Sequence, residues 1–89
     1  MRYSINSTQY EVIREWLKKQ RHEADLSIRA LASKLGVHHS VVGKIEDGRR
    51  KIDLLEFVDY CEALDIDPHI GINLILESIK YPKKHTPFK

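Results

Sequence analysis

The sequence predicts an all-α protein, a compact bundle of five helices. Apolar residues recur at helical spacing through five segments, and most of these segments begin at a residue that caps helices. No stretch alternates convincingly between apolar and polar residues, so we expect no sheet. The length of 89 residues and the hydrophobic share of 42% suit one small folded domain with a single core.

The first two helices are marked by serines at their starts. Ser7 can cap a helix that runs to about Ala24, with apolar residues along one stripe. Ser27 can cap a second helix that ends before Gly36, because glycine readily adopts the left-handed backbone conformation found at helix C-termini.

The third and fourth helices have equally clear boundaries. The third begins near His39 and ends at Gly48, with His38 as a substitute N-cap. Asp53 and Glu56 have the spacing of a capping box and open the fourth helix. The residues of this helix expected to face inward are Leu54, Phe57, Val58, Cys61 and Leu64.

The fifth helix begins at Asp67 and Pro68 and ends before Pro82, and it is more apolar than a surface helix needs to be. One face, formed by Ile72, Leu76 and Ile79, can seal the core. A second apolar set points elsewhere and is expected to form a homodimer interface, unless Tyr3, Ile5, Tyr81 or Phe88 folds back over it. This second set consists of Ile70, Leu74 and Ile75.

Residues 28–45, IRALASKLGVHHSVVGKI, carry the most informative pattern. Two short amphipathic segments flank Gly36, and Ala32 is small where two helices would cross closely. The apolar residues of this pattern, which we expect to form one buried face, are Leu31, Leu35, Val37, Val42 and Ile45. Such a pattern predicts a helix-turn-helix, whose second helix can enter the major groove of DNA.

Charge is distributed unevenly, although the net charge is only +2. Between Arg14 and Lys51 there are ten basic and five acidic residues, whereas the segment from Asp53 to Glu77 has seven acidic residues and no lysine or arginine. A basic half that contains the motif is expected if that side meets phosphates. Two solvated faces of opposite sign are the simpler alternative.

Several classes of protein are not expected. Because Cys61 is the single cysteine, an intramolecular disulfide is excluded, which is consistent with a reducing cytoplasm. We expect Cys61 to be a core residue. No apolar run approaches the roughly 20 residues that cross a bilayer, and no cofactor-binding or catalytic constellation is evident. His38 and His39 have no carboxylate or thiol at ligand spacing, so no metal site is predicted. We expect a cytoplasmic protein without cofactor, and not an enzyme.

With these residues in place, the chain resembles the Xre/Cro-like, or lambda-repressor-like, helix-turn-helix family. The likeness covers about Trp16 to Leu76 and rests on LSIRALASKLGV, VVGKIEDG and EALDIDP. It implies a five-helix bundle that binds a palindromic operator as a dimer. It also implies an ion pair between Arg21 and Glu46 that ties two helices together.

The resemblance assigns base reading to His39, Ser40 and Lys44 on the third helix, and Gly43 lies on the same outward face. Lysine donates well to the guanine acceptors O6 and N7. Ile28 departs from the family pattern, which often has glutamine there. The residues expected to contact phosphates are Arg29, Lys34, Arg49, Arg50 and Lys51.

The sequence therefore predicts three segments and one main function. Residues 1–7 form an arm, 8–80 the DNA-binding domain and 81–89 a basic tail. We expect a homodimer that binds double-stranded DNA in a sequence-specific manner and regulates transcription, as a repressor, a restriction-modification controller or an antitoxin. A toxin or the transcription machinery would be a protein partner. The alternative is a protein-interaction module on the same bundle.

Overall fold

Five α-helices follow one another in the computed structural model, which describes residues 4–80, and this part of the chain contains no strand. The predicted all-α class and helix number are confirmed, and the predicted boundaries hold to within a residue or two. Residues 1–3 and the predicted tail, 81–89, lie outside the described residues. The helices are α1 Thr8–Glu23, α2 Ile28–Leu35, α3 His39–Glu46, α4 Leu54–Leu64 and α5 Pro68–Lys80.

Side chains at the predicted caps satisfy the free backbone N–H groups at the helix starts. The Ser7 hydroxyl accepts from Tyr10 N at 3.1 Å, and the Ser27 hydroxyl accepts from Ala30 N at 3.0 Å. The capping box of α4 is complete, since Asp53 accepts from Glu56 N at 2.8 Å while Glu56 accepts from Asp53 N at 3.0 Å. Each such cap stabilises its helix by about 1 kcal/mol.

The core lies between α1, the α2–α3 pair and α4, and α5 closes it along α1. The most completely buried side chains come from four helices, which fixes the helix-turn-helix against the rest of the bundle. They are Leu17, Leu31, Val42, Tyr60 and Cys61.

Helix α5 lies against the bundle at Gly71, which is the buried residue of this helix. A Cβ atom at this position would lie 2.6 Å from Trp16 Cζ3 and 2.9 Å from Ile13 Cδ1. Only glycine allows this approach, and Trp16 in turn packs near Phe57, with ring centroids 6.4 Å apart. The sequence pattern gave no indication of this contact.

Two predicted core residues of α4 and one of the turn are exposed. Leu54 is 69% exposed and Val58 is 46% exposed, so their predicted inward orientation is wrong. Tyr60, which we did not predict to be buried, lies in the core instead. The inward face of α4 therefore includes Tyr60 as well as Phe57. Val37 is also exposed, at 40%, because it follows the Gly36 turn at the rim of the core.

The side of α5 that packs on the core also differs from the predicted one. Ile75 follows Gly71 by one helical turn and packs against the core, and Leu74 is half-buried. Ile72, Leu76 and Ile79, expected to seal the core, remain 39–46% exposed, because Gly71 fixes which side of the helix meets α1. Ile70 is exposed as predicted.

None of the five described helices combines the length and the apolar character needed to cross a membrane.

Candidate nucleic-acid interface

The turn between α2 and α3 has the backbone geometry that its sequence predicts. Gly36 adopts a left-handed conformation with φ of 71°, where a residue with a side chain would be strained. The N–H of Val37 then donates to the carbonyl of Ala32 at 3.0 Å, which closes the end of α2. Leu31 and Val42 are completely buried on either side of this turn, so the angle between the two helices is set by packing.

The start of α3 is capped by an unusual residue. His38 Nδ1 accepts the N–H of Ser40 at 3.2 Å and lies 2.9 Å from the Ser40 hydroxyl. The ring of His38 lies close to that of His39, with centroids 4.2 Å apart. His38 therefore serves as the N-cap, and Ser40 is held beside it.

The side of α3 that faces away from the core carries the predicted reading residues. Val42, Ile45 and Glu46 are buried, whereas Lys44 is exposed and His39 and Ser40 are half-buried. A Cβ atom added at Gly43 would meet nothing within 4 Å, so this position is open. An eight-residue helix with one buried side and one open polar side has the shape that enters a major groove.

Arg29 on α2 shares this surface with His39. Partial desolvation lowers the pKa of His39, and the positive charges of Arg29 and His38 lower it further. These effects favour the neutral form of the His39 imidazole relative to an ordinary histidine. A phosphate placed beside His39 would oppose this shift and raise the pKa, because a negative charge stabilises the protonated ring.

Lys34 occupies a different side of α2. It shares a surface cleft with Asp59 and Glu62 of the acidic helix α4. About 140° of rotation separates Lys34 from Arg29 around a helix with 3.6 residues per turn. The structure therefore does not bring these two predicted phosphate contacts together.

The connection from α3 to α4, residues 48–52, forms a basic loop. It turns back on α3, since the N–H groups of Arg49 and Arg50 both donate to the carbonyl of Lys44, at 2.9 and 3.1 Å. Both arginines have carboxylate partners: Arg49 Nη2 lies 2.8 Å from Asp47 and Arg50 Nη2 lies 2.8 Å from Glu56. Lys51 is exposed.

Arg50 is the more constrained of these arginines. Its Nη1 and Nη2 atoms both donate to Glu56, and Nη1 also donates to the carbonyl of Lys51. Since Glu56 belongs to the capping box of α4, Arg50 joins the basic loop to that helix. The hydrogen bond to Arg50 lowers the pKa of Glu56, which stays ionised over the neutral range.

Two residues of helix α1 contact the basic loop, and the sequence analysis did not predict this role for either of them. The Tyr10 hydroxyl hydrogen-bonds the backbone N–H and carbonyl of Ile52. The Arg14 guanidinium lies against Gly48, where an added Cβ would be 3.3 Å from its Cζ atom. Tyr10 and Arg14 are four residues apart on one helix face, which was the available signal.

The pair implied by the family resemblance is present in the core. Arg21 Nε donates to Glu46 Oε2 at 2.6 Å and Arg21 Nη2 donates to Glu46 Oε1 at 3.0 Å, with both residues 7% exposed. The hydrogen bond to Glu46 raises the pKa of Arg21. This pair joins the end of α1 to the end of α3 and so holds the exposed helix from inside.

The fold and this surface together define a helix-turn-helix protein. Its second motif helix, α3, is held on the core side by the Arg21–Glu46 pair and is open on the other side. A family model described as "Helix-turn-helix" (HTH_3) matches residues 17–70, which is more than half of the chain. The chain belongs to this XRE-like helix-turn-helix family of DNA-binding transcription regulators.

Two solved structures are similar in both fold and sequence. One is an XRE-family like protein from Pseudomonas syringae pv. tomato, 29% identical, with a TM-score of 0.72 over 76% of this chain and 83% of that one. The other is the restriction-modification controller protein C.AhdI from Aeromonas hydrophila, 32% identical, with a TM-score of 0.63 over 67% of this chain and 91% of that one.

A third structure shares the fold at lower identity. The clp gene regulator ClgR from C. glutamicum is 19% identical, with a TM-score of 0.71 over 83% of this chain and 96% of that one. A search of curated protein sequences finds no match.

Proposed function

We propose that this protein binds double-stranded DNA in a sequence-specific manner through α3 and regulates transcription by occupying an operator. The observation that carries this proposal is the open side of α3. It presents His39, Gly43 and Lys44 outward, with Arg29 close to His39 and the basic loop turned back on the carbonyl of Lys44. The similarity to a restriction-modification controller and an XRE-family like protein supports the same function.

The roles of the contact residues differ. Lys44 is the main base reader, because an exposed ammonium in the last turn of α3 can reach guanine O6 and N7. His39 and Ser40 read bases from the first turn. Arg29, Arg49 and Lys51 contact phosphates and set the register of the protein on the duplex. Lys34, beside the acidic helix, contributes less. Arg50 also contributes less, because its pair with Glu56 is less exposed than the pair of Arg49 with Asp47.

We further propose that the functional unit is a homodimer with α5 at the interface. The exposed apolar side of α5 consists of Ile72, Leu76 and Ile79, each 39–46% exposed, and an apolar groove of about 330 Å³ continues from it toward Leu54. An exposed apolar surface of this kind is typical of an interface. Ile70 lies about 160° away from Ile72 around the helix, so one interface does not include both.

The dimer is tested by sedimentation equilibrium of single variants. Leu76→Glu should shift the protein to monomer, because a carboxylate would be buried without a partner. Ile70→Glu is the matched control, since Ile70 is 52% exposed and faces away from the proposed interface. Dissociation by Ile70→Glu alone would place the interface on the other side of α5.

DNA binding is tested by titrating a random-sequence duplex at several salt concentrations. If the basic surface neutralises phosphates, the logarithm of the affinity falls linearly with the logarithm of the salt concentration, with a slope of about −0.9 per phosphate contacted. No binding at low salt would contradict the proposal and would favour a bundle that docks another protein instead.

The proposal also concerns the arrangement of the chain and the sign of regulation. Residues 8–80 form the DNA-binding domain, flanked by the arm 1–7 and the basic tail 81–89. Bound to a palindromic operator, a dimer of this size would act as a repressor by excluding other proteins from the same DNA. Two α3 helices would then lie about 34 Å apart, one turn of the duplex.

A further inference from the structure

Arg49, a proposed phosphate contact, is already bound by a carboxylate of its own chain. Asp47 Oδ1 accepts from Arg49 Nε at 3.0 Å and from its backbone N–H at 3.2 Å. Asp47 Oδ2 accepts from Nε at 2.9 Å and lies 2.8 Å from Nη2. One carboxylate therefore occupies the backbone N–H, Nε and one terminal nitrogen of a single arginine.

The position of Asp47 is otherwise unfavourable for an acidic residue. It is the C-cap of α3, where the carbonyl ends of the helix already carry partial negative charge. It also follows the proposed reading surface directly, so its charge would repel the phosphates of a duplex bound there. The negative charge is unfavourable for the helix, and within residues 4–80 Asp47 forms an ion pair only with Arg49.

We propose that Asp47 competes with DNA phosphate for Arg49 and thereby lowers the affinity of the protein for DNA of any sequence. This inference rests on the proposed DNA-binding function. A phosphate that approaches Arg49 must displace the carboxylate or accept its repulsion. Since phosphate contacts supply nearly all non-specific affinity, Asp47 suppresses non-specific binding while the base contacts of α3 remain unchanged.

Asp47→Asn is the direct test, and the chain offers a matched control. Asparagine keeps the size of the side chain and removes the charge. Asp65→Asn makes the same change at the C-cap of α4. This position lies at the far end of α4, about 16 Å along the helix from the end that adjoins the basic loop. Thermal melts of both variants first establish that each folds like the unmodified protein.

The measurement is the affinity for a random-sequence duplex as a function of salt. Asp47→Asn should bind about three- to tenfold more tightly at low salt, with a slope steeper by about one ion, because Arg49 becomes available to a phosphate. Asp65→Asn should change the affinity by less than about twofold, because screening weakens its effect at that distance.

A double-mutant cycle separates competition from simple repulsion. In the Arg49→Ala background, Asp47→Asn should gain less than about twofold, since no arginine remains to be released. An unchanged affinity for Asp47→Asn, or an equal gain with and without Arg49, would overturn this inference. Failure of the unmodified protein to bind any duplex would instead contradict the proposed function itself.

Discussion

Arg21 and Glu46 form a bidentate ion pair inside the bundle, 2.6 Å apart at Nε and Oε2, and thereby connect the last turn of α1 to the last residue of α3. Arg21 Nη1 also donates to the carbonyl of Leu26 at 2.7 Å, in the turn that leads to α2. One guanidinium therefore fixes the end of α1, the entry to α2 and the end of the exposed helix.

Arg21→Ala should lower the free energy of unfolding by about 3–5 kcal/mol, because Glu46 would remain buried without its partner. A circular-dichroism melt measures this loss as a large fall in Tm. Lys19→Ala is the control, since the Lys19–Glu23 pair is exposed and 4.0 Å apart. Equal, small effects of both substitutions would show that the buried pair contributes little.

Gly43→Ala should stabilise the free protein by about 1 kcal/mol, because alanine favours the helical backbone and an added Cβ meets nothing within 4 Å. The same variant should bind specific DNA more weakly, since Gly43 lies in the centre of the reading surface. Melting and duplex titration of one preparation measure both effects. Stabilisation without any loss of DNA affinity would mean that no base approaches position 43.

Tyr60→Phe should leave the protein at least as stable as before. The Tyr60 hydroxyl is buried and has no hydrogen-bond partner among residues 4–80, and burial raises its pKa further beyond the physiological range. A buried hydroxyl without a partner costs about 1–3 kcal/mol, which the phenylalanine ring avoids. Urea unfolding measures the difference. A clear destabilisation would indicate a hydrogen bond that forms in solution.

DNA affinity should rise as the pH falls from 8 toward 6. Desolvation and the charges of Arg29 and His38 lower the pKa of His39 in the free protein, so the ring is neutral at the upper end of this range. Phosphates raise that pKa in the complex, so binding takes up a proton and is favoured at lower pH.

His39→Asn should remove most of this pH dependence, measured at constant salt. His69→Asn is the control, because His69 is exposed at the start of α5 beside Asp67. A wild-type affinity that is flat or that falls toward pH 6 would exclude proton uptake by His39.

The helix boundaries could be predicted from the sequence because they depend on local chemistry. Ser7, Ser27, Asp53 and Glu56 cap helices through hydrogen bonds to backbone within three residues, and Gly36 needs only its own backbone freedom. Interactions of this kind do not depend on the rest of the fold.

The inward faces of α4 and α5 could not be predicted as well, because they depend on contacts between distant segments. Gly71 lets α5 approach Trp16, 55 positions earlier, and this contact decides that Ile75 rather than Ile72 meets the core. Without knowledge of that contact, the apolar residues of α5 are equally compatible with either side of this helix facing the core.

The candidate interface was predicted in outline only. The sequence identified the outward residues of α3, but it did not reveal which cations already have partners. Asp47, at the end of α3, pairs with Arg49, and Glu56, in the first turn of α4, pairs with Arg50. These pairs depend on the positions of the side chains in the folded protein. A count of basic residues treats these arginines and Lys51 alike.

Selection of duplexes from a random library tests the reading role of α3 most directly, with wild-type protein, Lys44→Ala and Lys51→Ala compared in parallel. The wild type should enrich a palindrome with half-site centres about 10–10.5 base pairs apart. Lys44→Ala should lose preference at one position of each half-site, and Lys51→Ala should enrich the same sequence with lower affinity. Enrichment of no sequence, or of an identical one by Lys44→Ala, would contradict base reading by this helix.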